Sequence, residues 1–436
     1  MNNFKHLKKV LNNQLNIIND SSSLFCENPD KDFTRDRKLN MKNTMSNVIC
    51  METGSIKEEL LKINNYSLST PTSSAFIQAR DKIKIDAFKT LFDNFNKITR
   101  KDKLYKGYRL LAIDGSELPI DNYFKDKETT LMNCNQSGKS YCAYHLNASY
   151  DLLECTYDDI VIQGKAIANE NGAFRELVDR YDDSKAIFIA DRNYENYNGF
   201  EHVVHSGNKY LIRVRDIDSK NSMTQSLGPY PSDEFDIDVF RILSLKNTLM
   251  IKACPQLYKY CPKNMKFDYM DKENPWYEFN CRIVRFKITE DTYECIITNL
   301  DRNKFSLEDI RYLYNMRWGI ETSFRELKYA IGLNALHSKK RKLIKQEIYA
   351  RLLLHNFCQR IVQKVKVPKR KDRKYIYQVN FTQSFRIIRE FLKRKTGGNP
   401  PVDDLIVKEI LPIRPGRSNI RHVKPKHVVC FNYRYD

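Results

Sequence analysis

The chain has 436 residues, and 74 Lys+Arg against 54 Asp+Glu leave a formal charge of +20. That length allows two or three domains with ample core, at roughly 150 residues each; 41% hydrophobic and 12% aromatic residues exclude a largely disordered chain, and 14 Gly with 14 Pro exclude collagen-like repeats. The basic excess favours nucleic acid as partner over an anionic membrane surface, because phosphate neutralisation with counterion release drives such binding and no lipidation motif or amphipathic anchor is present.

The start, MNNFKHLKKVLNNQLNIIND, is basic but lacks the apolar core of a secretory signal. No later run reaches the ~20 apolar residues that span a bilayer, so a soluble, cytoplasmic protein with no membrane partner is expected. Residues 20–50 are polar and weakly periodic and read as a linker, with 1–50 loosely ordered. SIKEELLKI, PTSSAFIQARDKI (with Thr72 or Ser73 as N-cap) and DAFKTLFDNFNKIT then give three helices. Their polar second member resembles a helix-turn-helix; a small bundle without a DNA role is the alternative. Residues 1–105 therefore form a helical, DNA-binding N-terminal region in this reading.

Over 106–215, YRLLAIDG, YCAYHLNASYD, LECTYDDIVIQG, KAIFIAD and NKYLIRVRD read as strands and NENGAFRELVDRYDD as a helix, which predicts an α/β (α+β) mixed sheet with flanking helices. Residues 216–300 alternate apolar and polar side chains (FDIDVFRILS, YEFNCRIVRFKI, TYECIITNL), as a β-rich insertion would. Helical periodicity returns at 301–345. Residues 346–436 are basic, helical and then extended: 360–396 hold thirteen Lys+Arg and two acids. Eleven scattered cysteines include no CxxC pair, and Cys254 and Cys261 have no further ligand nearby, so reduced thiols filling core positions are expected.

Asp114 and Asp191 each end a short apolar run, LLAID and IFIAD. A carboxylate there projects from a rigid scaffold and suits a metal or catalytic group; an Asp before Gly is also a common turn former. On a helix over 314–331, at about 100° per residue, Tyr314, Arg317, Glu321 and Lys328 fall within about 60° of one another, with Arg325 extending the stripe. Leu313, Met316, Ile320, Phe324, Leu327 and Ile331 form an adjoining apolar arc. Exposed i,i+4 ion pairs (Arg317–Glu321, Glu321–Arg325) would explain part of the stripe. A phosphate backbone explains why Tyr, Arg and Lys flank the acid in line, since Arg grips phosphate bidentately and Lys adds a point charge.

The set Y-x2-R-x3-E-x6-K (Tyr314, Arg317, Glu321, Lys328) resembles the signature of DDE transposases of the insertion sequence 4 family. IDGSELPI and IADRNYEN resemble that family's two Asp regions, TPTSSAFIQARDKIKIDAFKTLF its N-terminal segment and RPGRSNIRHVKP its C-terminal one. The resemblance runs from about residue 55 to the end. It implies a ribonuclease H-like core interrupted by the β-rich insertion, with Asp114, Asp191 and Glu321 as catalytic and metal-binding residues. It also implies two Mg²⁺ (or Mn²⁺) ions, which hard carboxylate oxygens suit, and DNA cleavage and strand transfer at the inverted-repeat ends of a bacterial mobile element. A non-catalytic DNA-binding regulator or a decayed transposase copy is the alternative. Tyr314, Arg317, Arg325 and Lys328 would bind DNA, and Trp276 in the insertion would stack a flipped base. His337 would contact phosphate or solvent. A homodimer on DNA is expected, with the helices from 341 as its interface. One departure from the pattern is Asn193, where Gly is expected; Asn tolerates a left-handed turn better than most residues.

Overall fold

The computed structural model describes residues 2–35, 37–132, 140–217, 219–220, 222–224, 227, 229–290, 292–368, 374–394 and 400–414. Most of the extended C-terminal segment, residues 369–373, Cys134 and Cys430 lie outside them. Among the described residues, α1 (Asn2–Asp20), α2 (Ser22–Phe25), α3 (Met41–Cys50), α4 (Ile56–Ile63), α5 (Ser73–Asp81) and α6 (Ile85–Thr99) open the chain. Thr72, not Ser73, caps α5: its hydroxyl accepts the Ala75 N–H.

Next come β1 (Arg109–Ile120), β2 (Thr130–Leu131), β3 (Tyr141–Asp151), β4 (Thr156–Gly164), α7 (Glu170–Asp179), β5 (Ala186–Ala190), α8 (Tyr197–His205) and β6 (Lys209–Val214). Strand β3 pairs antiparallel with both β1 and β4, while β1, β5 and β6 run parallel. The order β4-β3-β1-β5-β6 is the ribonuclease H-like arrangement, and the crossover helices α7 and α8 cover one face, where Leu111, Ile113, Phe188, Ala190 and Ile212 pack against Phe174 and Phe200.

The segment expected as an insertion supplies β7 (Phe235–Ser244), α9 (Leu249–Ala253), β8 (Tyr258–Tyr260), β9 (Trp276–Thr289) and β10 (Thr292–Thr298). These strands form no separate unit. Strand β10 pairs with β6, so the same sheet continues as β10-β9-β7-β8. Then follow α10 (Leu307–Met316), α11 (Trp318–Arg325), α12 (Arg341–Val362), β11 (Tyr377–Val379), α13 (Phe381–Lys393), α14 (Val402–Lys408) and β12 (Ile410–Pro412).

Three sequence-based expectations are corrected here. Residues 20–50 are no loose linker: Met41, Met45, Val48 and Ile49 of α3 sit in the main core. Their spacing is helical, and polar neighbours obscured it. The N-terminal helices share one core with the second face of the sheet, since Phe88, Leu91, Phe92 and Phe95 of α6 pack with Leu352, Leu353 and Phe357 of α12. Finally, α12 crosses the expected 345/346 boundary and eighteen of its 22 residues are buried within the chain, so it is not available as a dimer surface.

Seven of the nine described cysteines are buried and none is paired in a disulfide. No described helix is long and apolar enough to cross a membrane.

Candidate active site

Strand register sets the geometry. Ala112 pairs with Ile189 across the parallel β1–β5 ladder, so Asp114 and Asp191, each two residues on, stand level where β5 ends. Open α/β sheets present their reactive groups at that edge. Alternation selects the face: Leu110, Ala112 and Leu118 belong to the core shared with α10–α12, and Asp114 has their parity. It therefore faces α11, which carries Glu321 and packs on β1. Asp114 lies in the middle of β1 rather than at a strand end.

Gly115 makes no turn. A Cβ there would meet His145 Nε2 at 2.6 Å, and that ring is buried with its Nε2 3.0 Å from Glu170 Oε1. Gly115→Ala is expected to cost about 1–3 kcal/mol by overpacking, read as a lower thermal midpoint. Gly319 serves a similar purpose on α11, where a Cβ would stand 3.0 Å from Leu152.

Asp114 Oδ1 accepts the Gly115 N–H at 2.8 Å and Asp191 Oδ1 accepts the Asn193 N–H at 2.9 Å. Desolvation pushes the Asp114 carboxyl up to about 6, and the charges of Asp191 and Glu321 add to it, against the Gly115 N–H and Arg317. Asp114 thus lies within the field of both other acids. Yet among the described residues no three acids, histidines or cysteines stand together at metal-ligand spacing. Glu321 Oε1 instead takes a hydrogen bond from Arg317 Nη2 at 2.8 Å.

Asn193 lies in a 3-10 turn (Arg192–Tyr194) and is not among the residues with positive φ. The left-handed turn expected there is absent, so Asn in place of Gly costs no backbone strain. Asn193→Gly is expected to destabilise the fold by about 0.4–1 kcal/mol through added unfolded-state freedom, measurable by urea unfolding.

The helix expected over 314–331 is not uniform. It breaks at Arg317, where Arg317 N–H bonds Tyr314 O and Ile320 N–H bonds Arg317 O, both i→i−3. It widens to a π-turn over Glu326–Ala330. The constant 100° projection therefore fails at both ends. Tyr314 is only 2% exposed and joins the core, its hydroxyl within reach of the Arg213 guanidinium. Arg317 is also buried, its guanidinium 4.7 Å from the Trp318 ring and its Nε unpartnered. Arg325 is exposed and makes no ion pair with Glu321 among the described residues. Lys328 Nζ is drawn to the Glu117 carbonyl on β1 at 2.6 Å.

Trp276 is not brought to the acids. Pairing carries the level of Asp191 across Arg213 and Ile296 to Val284 on β9. Trp276 is eight residues from Val284, about 26 Å along the strand at ~3.3 Å per residue, and it lies edge-on to Tyr258. His337 is corrected as well: its side chain is 1% exposed and its Nδ1 lies 3.1 Å from Glu347 Oε2, so it is turned into the core rather than to solvent. Sequence reasoning passed over Arg213, which stands level with Asp191 on β6. With the parity of the core residue Leu211, it faces Tyr314 and Glu294, the latter at 3.7 Å. The alternation of LIRVR carried that signal.

Comparison with known proteins adds the family. InsL of the insertion sequence element IS186A, from Escherichia coli strain K12, is 35% identical over 68 residues, 16% of this chain and 18% of that protein. The transposase for insertion sequence element IS421 of Escherichia coli matches to the same extent. The chain thus aligns with about a fifth of the length of these curated relatives. The piggyBac transposase in its synaptic complex with hairpin DNA aligns over 94% of this chain and 84% of that one, with a TM-score of 0.42 and 10% identity. Residues 105–357, more than half of the chain and the span that holds all three acids, match the model of the transposase DDE domain, and the chain belongs to that family.

Proposed function

We propose that the chain is a DNA transposase of the insertion sequence 4 type, which binds the inverted-repeat ends of a bacterial mobile element and cuts and joins DNA strands there. One observation carries this reading: Asp114 and Asp191 stand level on neighbouring parallel strands, facing the helix of Glu321, inside the region that matches the DDE domain. The chemistry is an in-line displacement at phosphorus, in which water attacks a phosphodiester and displaces its 3′ oxygen as a free 3′-OH, and that hydroxyl then attacks a second phosphodiester and displaces its 3′ oxygen in turn.

Three carboxylates are a donor set suited to Mg²⁺ or Mn²⁺, two ions in the family's pattern. As the side chains stand, Glu321 pairs with Arg317 and among the described residues the three are not gathered. What the chain's own residues do is bind and orient DNA. Arg317, Arg213 and Arg325 offer guanidinium donors to phosphate beside the acids. Lys328, tied to Glu117, holds the Glu321 helix against β1.

The N-terminal region offers a second basic surface: a groove of about 660 Å³, where Lys31, Arg35, Arg37 and Lys38 face Ala75 and Gln78 of α5. It supports DNA binding by residues 1–105. Two copies acting together on two DNA ends remain part of the proposal, with α13 and α14 rather than α12 as the C-terminal surface left to meet a partner.

The test is a cleavage and joining assay on labelled duplexes carrying the DNA that flanks the gene, with Mg²⁺ or with EDTA. Nicking that needs the metal, followed by joined products, is the expected result. Tight binding with no cutting in either condition would overturn the catalytic reading in favour of a DNA-binding regulator.

A further inference from the structure

We propose that Arg317 holds Glu321 apart from Asp114 and Asp191 in the DNA-free protein, and that a DNA phosphate, by taking the guanidinium, releases the carboxylate to complete a divalent-cation site. The inference rests on the reading of these acids as the reaction centre.

Two parts of the site are already set. Asp114 and Asp191 are fixed by strand register, and each has one oxygen bonded to a neighbouring backbone N–H, which leaves the other to a cation. Glu321 is engaged elsewhere: its Oε1 accepts from Arg317 Nη2, and among the described residues the three acids do not reach ligand spacing. Its side chain is 36% exposed, so it can swing without repacking the core.

The donors around Arg317 exceed the acceptors. Arg317 is nine-tenths buried and its Nε has no hydrogen-bond partner. Arg213 adds a second guanidinium whose nearest acid, Glu294, stands 3.7 Å away. The charged groups facing Arg317 are therefore Glu321, Asp114 and Glu294, the last also paired with Arg213. A phosphate oxygen pair fits this set of N–H donors better than the single carboxylate oxygen now present. Bidentate Arg–phosphate contacts also exceed in strength the single hydrogen bond that Arg317 now makes to Glu321. The exchange moves one charge-assisted bond from Glu321 to the substrate and leaves the carboxylate facing two aspartates, an arrangement that only a cation relieves.

Thermodynamic linkage makes the idea measurable without turnover. If DNA tightens cation binding, the cation must tighten DNA binding by the same factor. Mn²⁺ binding to the full chain is followed by electron paramagnetic resonance, with and without a short duplex of arbitrary sequence at low salt. DNA binding is followed by fluorescence anisotropy, with and without Mn²⁺. The expected result is a reciprocal coupling of about tenfold or more. Glu321→Gln should bind DNA and lose the coupling. Arg317→Gln should bind Mn²⁺ in the free state as tightly as the wild type does on DNA; should that variant not fold by circular dichroism, Arg317→Lys should show reduced coupling in a folded chain. Equal Mn²⁺ affinity in free and DNA-bound wild type, with both weakened by Asp114→Asn, would overturn the inference and leave the reaction centre standing. Mn²⁺ binding indifferent to Asp114→Asn and Asp191→Asn would overturn the reaction centre itself.

Discussion

Replacing Asp114 by Asn, or Glu321 by Gln, is expected to lower strand cleavage by about 10³-fold or more, the scale seen when a group acting on transition-state charge is removed. Duplex binding should stay within a few-fold, because DNA affinity resides in the basic groups and not in the acids. Asp114 is the more telling position. It is carried by the strand that pairs with both β3 and β5, so Asn in its place keeps the backbone and removes only the charge. Single-turnover cleavage beside anisotropy on the same duplex reads both effects, and cleavage retained at wild-type rate in Asp114→Asn would remove it from the chemistry.

Glu347→Gln is expected to cost about 3–5 kcal/mol of stability, as breaking a buried ion pair does, seen in the urea midpoint. Glu347 on α12 is fully enclosed. Its Oε1 lies 2.9 Å from Arg80 Nη1 of α5, and it accepts the His337 backbone N–H. Burial disfavours its charge, but Arg80, His337 and Arg351 outweigh that and hold the carboxyl well below its usual range. The sign follows from linkage. A carboxyl depressed in the folded state lends stability that is complete above its unfolded value, 4.5, and is lost as pH falls below it. The wild type should therefore lose stability below about pH 4.5 more steeply than Glu347→Gln, and the two curves should converge in acid. Parallel curves would show that Glu347 carries no such linkage. Replacing both partners by Met and Leu should recover part of the loss.

Much of the fold was legible because it rests on short-range pattern. LLAID, IFIAD and LIRVR show strand alternation or apolar runs, and FDIDVFRILS and YEFNCRIVRFKI gave β7 and β9 nearly to the residue. Pairing partners were not legible, since nothing in the alternation of β10 says that it docks on β6 rather than on a sheet of its own. The acids were found because each sits beside a hydrophobic run. Their present disposition was not, because the Arg317 break and the π-turn at Glu326–Ala330 are departures from ideal pitch that an angular projection assumes away. The enclosure of Arg80, Glu347 and His337 was not legible either, because it depends on partners up to 267 positions apart. Trp276 was placed by analogy with a family, and register puts it at the far end of the sheet.

The shared core of α6 and α12 sets a timetable for synthesis. The aromatic face of α6 is made early, yet its cover on α12 begins at Arg341, after the 241 residues of 100–340. At ~5–20 residues per second the ribosome needs roughly 10–50 s to supply it. During that interval Phe88, Phe92 and Phe95 have only the other N-terminal helices for shelter, and a chain released before α12 would keep that face exposed for good. Premature termination should therefore yield aggregates or prey for chaperones and proteases, not a soluble fragment that occupies DNA without acting on it.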